Sequence, residues 1–542
     1  TQAELVQAQT NWEAGFIRRL QSVGGFGGRA DRLNEYNVRF GNPDGFQTDL
    51  DRYLKATTVS VSRYAREYLA LDRRGIFHIV PQGDLKAQGE EFARAEPGAG
   101  PEPSFTPPQI QRDKLSNGLD ILVVEDHKLP LVQTNLVLKS GWAADPADRP
   151  GAAALTAALL DEGTTKRTAM EIAEGAKSLG ANLGTGSFAD ESSVSLNVLK
   201  KNLDAGLDLM ADIVLNPTFP KEELERQRQL YLGRIAQEEK EPVTVAVKTY
   251  YRALYGPNHP YGQPYTGSGT VESINAIQRE DLVRFYETNY FPNNAAVVMV
   301  GDITLSEAKA KVDKVFGRWN PGTVAQSEVP TPPSISESQL VIIDKPGAPQ
   351  SVIVAGNLAI PRSDPGFMAF TVMNNALGGQ FTSRINMNLR EDKGFTYGAG
   401  SFLPARRGVG PFICYAPVES PSTKESVQEI IKEFRDIIGP RPLTDDEVVQ
   451  SKDNMIKSFP QDFQTYTGIA GQLNQIVRFN LSDDEWETYM DRVRAIDGAA
   501  ATRAAQAHLH PDGLLIVVVG DSATIAPKLK ELNLSSDIDT RW

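Results

Sequence analysis

The chain has 542 residues, of which 40% are hydrophobic and 23% charged, with a formal charge of −13. That length exceeds a single hydrophobic core and divides into units of ~100–200 residues, while the acidic balance excludes a general nucleic-acid binder, which needs a basic face for phosphates. No apolar run approaches the ~20 residues that cross a bilayer, and the lone Cys414 excludes an intrachain disulfide framework and a thiolate zinc cluster.

Residues 1–94 carry a pattern that returns near the end of the chain. Thr1, Glu4, Val6, Gln7, Asn11, Phe16 and Gln21 recur with identical spacing as Thr444, Glu447, Val449, Gln450, Asn454, Phe459 and Gln464. Val38-Arg39-Phe40 answers Val477-Arg478-Phe479, and both stretches close on an apolar strand followed by Gly-Asp, at Gly83-Asp84 and Gly520-Asp521. A third such pair, Gly301-Asp302, follows the strand over 295–300. The repeat therefore reads 1–94 as the closing part of a domain whose complete copy is 335–542, with the beginning of the first copy missing from this chain.

The segment 95–108 is rich in Pro, Gly and Glu and predicts an extended, solvated linker. Beyond it, Asn117-Gly118 between Lys114-Leu115 and the alternating residues 119–124 is a hairpin signal. Residues 131–139 read as the next strand. Leu203, Leu207, Met210, Ala211 and Val214 fall at helical spacing and predict one buried face. The segment 321–334 has the character of the first linker, so the chain divides into 1–94, 109–320 and 335–542. The run 514–519 reads as a buried strand. Units that end in a helix and then a buried strand suit helices packed on one face of a sheet.

Asn117-Gly118, Gly141 and the stretch 151–164 (GAAALTAALLDEGT) resemble the start of an insulinase/pitrilysin-type peptidase domain, the group that includes the mitochondrial processing peptidase. His259-Pro260-Tyr261-Gly262, Tyr290-Phe291-Pro292-Asn293-Asn294 and Val300-Gly301-Asp302 extend that resemblance. It implies an α+β fold class: repeated domains, each a mostly antiparallel sheet with helices on one face, arranged as a half clam-shell. In active members the helix after the glycine carries His-x-x-Glu-His, and a second helix supplies a further glutamate. Two histidines at i and i+4 share a helix face and bind zinc, and the intervening Glu activates the attacking water.

In this chain every one of those positions is replaced. By the resemblance the histidines correspond to Ala154 and Ala158, the catalytic glutamate to Ala157, the distal glutamate to Arg234 and its companion to Gln227. Alanine offers no lone pair, and a guanidinium does not ligate a cation. The sequence thus predicts no metal site here. Of the five histidines (His78, His127, His259, His508 and His510) only His508 and His510 are neighbours. They stand before Pro511, where a helix should end, which favours a capping or surface role over metal binding.

The third unit carries the rest of the resemblance. The segments 377–384 (LGGQFTSR) and 388–398 (NLREDKGFTYG) are similar to the family's second-domain signature. Arg390 and Tyr397 match the arginine–tyrosine pair that reaches the zinc site of the opposite half, where a cation and a phenol donate hydrogen bonds to a peptide carbonyl or its developing oxyanion. Read without the family, Arg390 is a helix C-terminal cap and Tyr397 a half-buried strand residue. Gly378 and Gly379 either let a substrate backbone approach, together with Phe381, or make a tight turn. No P-loop lysine follows, so phosphate cradling is excluded.

The resemblance implies the non-zinc-binding half of a tandem or heterodimeric zinc metalloendopeptidase. Zinc is expected in a companion chain or fragment bearing an intact His-x-x-Glu-His, and the substrate is a peptide or unfolded protein bound as an added strand. Two other readings stand beside it: a purely structural subunit like the core proteins of respiratory complexes, and a peptide-binding module without turnover.

Overall fold

The computed structural model describes residues 1–69, 74, 75, 77, 105–323 and 329–539, in two units, Thr1–Thr106 and Pro107–Trp542. The strand expected before Gly83-Asp84 and most of the segment 95–108 lie outside the described residues.

Among its described residues the first unit has four α-helices, α1 (Gln2–Arg19), α2 (Arg29–Phe40), α3 (Phe46–Leu54) and α4 (Thr58–Tyr68). Thr1 opens α1 with a reciprocal capping box: its hydroxyl accepts from the Glu4 amide at 3.3 Å and the Glu4 carboxylate takes the Thr1 ammonium at 2.5 Å. α2 stops at Gly41, whose φ of 69° is a left-handed cap. Burial here is slight. Ala14, Phe16, Ile17 and Tyr36 are the buried apolar residues among those described, and Phe16 meets Phe46 edge-on with ring centroids 6.3 Å apart.

The second unit holds two six-stranded sheets. The first half contains β1 (Gln111–Lys114), β2 (Asp120–Glu125), β3 (Leu131–Leu138), α5 (Ala152–Ala158), α6 (Ala169–Ser178), β4 (Asn182–Ser187), β5 (Ser192–Leu199) and α7 (Leu203–Leu215). It continues with α8 (Lys221–Glu238), α9 (Pro242–Tyr255), α10 (Val271–Ala276), α11 (Arg279–Asn289), β6 (Ala295–Gly301) and α12 (Leu305–Phe316). The second half opens with β7 (Gln339–Asp344), β8 (Gln350–Leu358), α13 (Phe367–Asn374), α14 (Arg384–Asn386), β9 (Gly400–Phe402) and β10 (Pro411–Glu419). Then follow α15 (Thr423–Ile438), α16 (Asp445–Ser458), α17 (Tyr466–Phe479), α18 (Glu485–Ala495), α19 (Gly498–His508), β11 (Leu515–Gly520), α20 (Ser522–Leu529) and β12 (Ser535–Asp539).

The strand orders are β1-β2-β6-β3-β5-β4 and β12-β7-β11-β8-β10-β9. Pairing is antiparallel except β2 with β6 in the first sheet and β7 with β11 and β12 in the second. The expected hairpin is present: Asn117-Gly118 joins β1 to β2, and Gly118 takes a φ of 90°. The helix expected over 203–214 is α7, and its five apolar positions are all buried.

Alternation along the strands assigns each sheet face. Val132, Leu136 and Leu138 of β3 join α7 in the first core, whereas Gln133 and Asn135 turn to the opposite face. There α17 of the second half lies across β3 and β6. The second sheet is treated reciprocally. Val352, Val354, Leu515 and Val517 join the first core beneath α9, while Ile353, Ala355, Ile516 and Val518 face α15. Two tyrosines fix these crossings. Tyr250 of α9 donates to the Phe412 carbonyl at 2.7 Å, and Tyr466 of α17 to the Asp126 carbonyl at 2.9 Å. Each lies where a glycine leaves room: a Cβ on Gly356 would sit 2.7 Å from the Tyr250 hydroxyl, and one on Gly301 would meet the Tyr466 ring at 3.0 Å.

The described part of 321–334 differs from the solvated linker expected of it. Gly322 exchanges two hydrogen bonds with the Asn293 amide, at 3.1 and 2.8 Å, and the Pro330 carbonyl accepts from His259 Nε2 at 2.8 Å. Val329 packs on the first core. One apolar side chain and two satisfied carbonyls suffice to lay a Pro-rich strap onto the fold.

The repeat in sequence is also a repeat in structure among the described residues. Thr444 caps α16 with Glu447 as Thr1 caps α1 with Glu4. α17 ends at left-handed Asn480 as α2 ends at Gly41. In both copies aromatics at the end of the first helix meet the third, Phe16 with Phe46 and Phe459 with Tyr489 of α18.

Candidate functional site

The zinc positions of the resemblance fall on α5 and α8. Ala154, Ala157 and Ala158 lie on α5, with Ala154 and Ala157 buried, and the Tyr231 hydroxyl of α8 donates to the Ala154 carbonyl at 3.2 Å. The half-buried Asp145 carboxylate accepts from the amides of Gly151 and Ala153, both at 2.7 Å. Burial nevertheless holds its pKa up at about 7.

Arg234 turns to Glu238, Nε donating at 2.9 Å, and to the Thr266 carbonyl at 3.3 Å. Burial works against the Glu238 charge, but Lys248, Ser268 and Arg234 outweigh it and draw its pKa below the ordinary value. Gln227 donates to Glu162 at 2.7 Å. Three methyl groups and an arginine engaged with a carboxylate do not fit a zinc ion, which needs nitrogen, sulfur or carboxylate donors.

His259-Pro260-Tyr261-Gly262 has a structural task. His259 Nδ1 accepts from the Tyr261 amide at 3.0 Å while Nε2 faces the Pro330 carbonyl, so the proton sits on Nε2. Burial lowers its pKa and keeps the ring neutral. Tyr261 donates to Asp190 at 2.7 Å, whose other oxygen accepts from the Arg407 amide of the second half at 3.0 Å. His508 ends α19 against Phe370, ring centroids 5.4 Å apart, and its carbonyl accepts from Asn357 at 2.8 Å.

The second-domain signature folds into two π-helical turns, Asn375–Gly379 and Met387–Asp392, separated by α14. Such turns are rare and often mark functional sites. Arg384 pins the assembly. It donates to Glu447 of α16 at 2.5 Å and to the carbonyls of Arg441 and Pro442 at 2.6 and 2.9 Å. Burial of the Glu447 carboxylate is outweighed by Arg384, and its pKa falls to about 2.

Gly378 backs onto β9, the edge strand: a Cβ there would lie 2.2 Å from Ser401 Oγ and 2.5 Å from its amide nitrogen. Gly379 is less confined, its nearest neighbour being the Asn374 carbonyl at 3.2 Å. Exposed Phe381 carries the Arg390 guanidinium 4.5 Å above its ring centroid. Arg390 also lies 3.4 Å from Glu391. Tyr397 stands on no strand and is 90% exposed, which removes the half-buried strand reading of that residue.

Buried Asn386, unremarked in the sequence, ties these loops together. Its amide donates to the Phe381 carbonyl at 2.7 Å, and its oxygen accepts from the Ala399 amide at 3.1 Å. Asn374 does the same for β9, accepting from Ser401 Oγ at 2.6 Å. Both asparagines lie close to the signature residues in sequence, yet only the fold shows what they hold.

The model described as insulinase (peptidase family M16) matches residues 120–267, and that of the peptidase M16 inactive domain matches 276–455. An uncharacterized zinc protease of Mycobacterium leprae is 28% identical over 369 residues, 67% of this chain and 78% of its own length. One of Streptomyces coelicolor is 25% identical over 294 residues, 54% of this chain and 63% of its own. Among solved structures, the peptidase M16 inactive domain from Pseudomonas fluorescens superposes with a TM-score of 0.71 at 27% identity, covering 76% of this chain and 98% of that one. A protease from Helicobacter pylori shares the fold, with a TM-score of 0.69 at 18% identity over 76% of this chain and 99% of its own. The two family matches together span more than half of the chain, which belongs to the insulinase family of peptidases, M16, and to its inactive-domain type.

Proposed function

We propose that this chain is the substrate-gripping, non-catalytic half of a zinc metalloendopeptidase acting on peptides or unfolded proteins. A companion chain or fragment with His-x-x-Glu-His holds the metal, and this chain contributes Arg390 and Tyr397 to that site. The observation that carries the reading is a contrast. The zinc positions hold side chains that fit no zinc ion, while Tyr397 is 90% exposed and Arg390 stacks on the exposed ring of Phe381. An exposed phenol and a half-buried guanidinium on loops held by Arg384 and Asn386 suit donation to a carbonyl oxygen brought by another molecule.

The same surface supplies a grip. β9 is the last strand of its sheet, and β4 the last of the other, so each presents an outer edge to which an extended peptide would add, although Asn374 already donates to the Ser401 carbonyl of β9 at 3.3 Å. Gly378 keeps β9 close, and Phe381 offers an aromatic surface. Residues 1–94 fit the same reading as the closing part of a further domain of this kind, supported by the shared caps and helix order.

The test is steady-state peptidase kinetics on the full chain assembled with an M16 chain of the same organism that carries His-x-x-Glu-His. Arg390→Ala and Tyr397→Phe should each lower kcat by about 10²–10³-fold, the effect of losing one oxyanion donor, with assembly unchanged. Unaltered proteolysis by the double variant would instead favour a structural subunit. Tight peptide binding without turnover in any assembly would favour a carrier.

A further inference from the structure

Resting on that two-part reading, we infer that the exposed face of α2 is a docking surface for the sheet of a companion M16 domain. It would be engaged through Arg39 by a carboxylate placed as Glu191 is placed in this chain. The repeat supplies the register. Val38-Arg39-Phe40 at the end of α2 matches Val477-Arg478-Phe479 at the end of α17, and both helices stop on a left-handed residue. α17 shows what such a helix does. It lies across β3 and β6, with Thr467 at 3.3 Å from Gln133, Asn474 at 3.1 Å from Asn135 and Arg478 at 3.6 Å from Glu191. Glu191 is buried just before β5, where desolvation raises its pKa and Arg478 opposes that rise.

In α2 the same tripeptide is largely exposed, with Arg52 5.0 Å over the Phe40 ring centroid and Tyr36 beside that ring. Val38 is 74% exposed against 5% for Val477, and Phe40 55% against 8% for Phe479. The counterparts of Asn474 and Arg478 are Glu35 and Arg39, and Arg39 lies 3.4 Å from Glu35 of its own helix, with its side chain 68% exposed. Glu35 is held more closely by Arg32, at 2.7 Å, so the longer contact to Arg39 contributes little and is readily given up for a carboxylate across an interface.

The occupant is another chain or segment, not a second copy of this one. Both sheets of this chain are already covered on both faces, the first by α7 and α17, the second by α9 and α15. The companion's sheet would offer matching polar groups, because α17 meets its own through Gln133, Asn135 and Glu191 while burying Ile469, Leu473 and Val477.

Affinity measured by titration calorimetry between the full chain and the His-x-x-Glu-His-bearing M16 chain of the same organism tests this. Arg39→Glu and Val38→Asp should each weaken binding at least tenfold, with circular dichroism unchanged because both positions are exposed. Changing the companion's acid at the position of Glu191 to Arg should restore binding to Arg39→Glu and to no other variant. Equal binding by Arg39→Glu, no binding by the unaltered chain, or self-association abolished by Val38→Asp would each overturn the inference. Should Arg390→Ala leave kinetics unaltered while the charge swap holds, the docking surface stands and the catalytic reading falls.

Discussion

Gly378 and Gly379 are adjacent in sequence yet meet different surroundings, so the two are to be tested separately. A methyl on Gly378 would have to displace the backbone of β9 at Ser401, whereas one on Gly379 would only crowd a carbonyl at 3.2 Å. Gly378→Ala should cost about 1–3 kcal/mol, in the range of an overpacked core site. Gly379→Ala should cost under ~1 kcal/mol, because neither glycine requires positive φ. Chemical denaturation measures both, and equal costs would show that the edge strand yields freely. Signature residues such as Arg390 and Tyr397 were legible because they come as a spaced motif. Asn386 and Asn374 were not, since what they do is set by loops that approach only in the folded chain.

Among the elements, hairpin, helix and strand positions followed from periodicity, but the layering did not. A sheet with helices on one face was the expectation, and in the second unit the opposite faces are covered too, by helices traded between the halves. The reason lies in the residues α17 sends to its sheet. Thr467, Asn474 and Arg478 make hydrogen bonds or an ion pair there, and although α17 also buries Ile469, Ala470, Leu473 and Val477 at helical spacing, periodicity does not say which sheet that face covers. Tyr250 and Tyr466 are the sharper probes of the exchange. Replacing either by Phe strands one carbonyl, Phe412 or Asp126, and should cost about 1–3 kcal/mol. The larger loss is expected for fully buried Tyr250. Because the two crossings share no partner, the losses should add within ~0.5 kcal/mol. Urea denaturation of the single and double variants decides this, and a cost-free Tyr250→Phe would mean that α9 is held by its apolar contacts alone.

For the whole molecule, burial is distributed very unevenly. One core in the second unit draws side chains from both halves, from Leu115 to Val519, so those halves should unfold together. The first unit buries four apolar residues among those described and leaves Val38, Phe40, Tyr64, Tyr68 and Leu69 exposed. By its own packing it is marginal. Calorimetry of the full chain should therefore show two transitions, the lower from the first unit. A companion that docks on α2 binds only the folded form of that unit. At a hundred times its Kd it should stabilise the unit by about 2.7 kcal/mol, which for a unit of this size moves the lower transition up by on the order of 10–20 °C. The upper transition should barely respond, since the surfaces inside the second unit are already filled. A single transition in the free chain would contradict the uneven burial, and a lower transition unmoved by the companion would place the docking elsewhere.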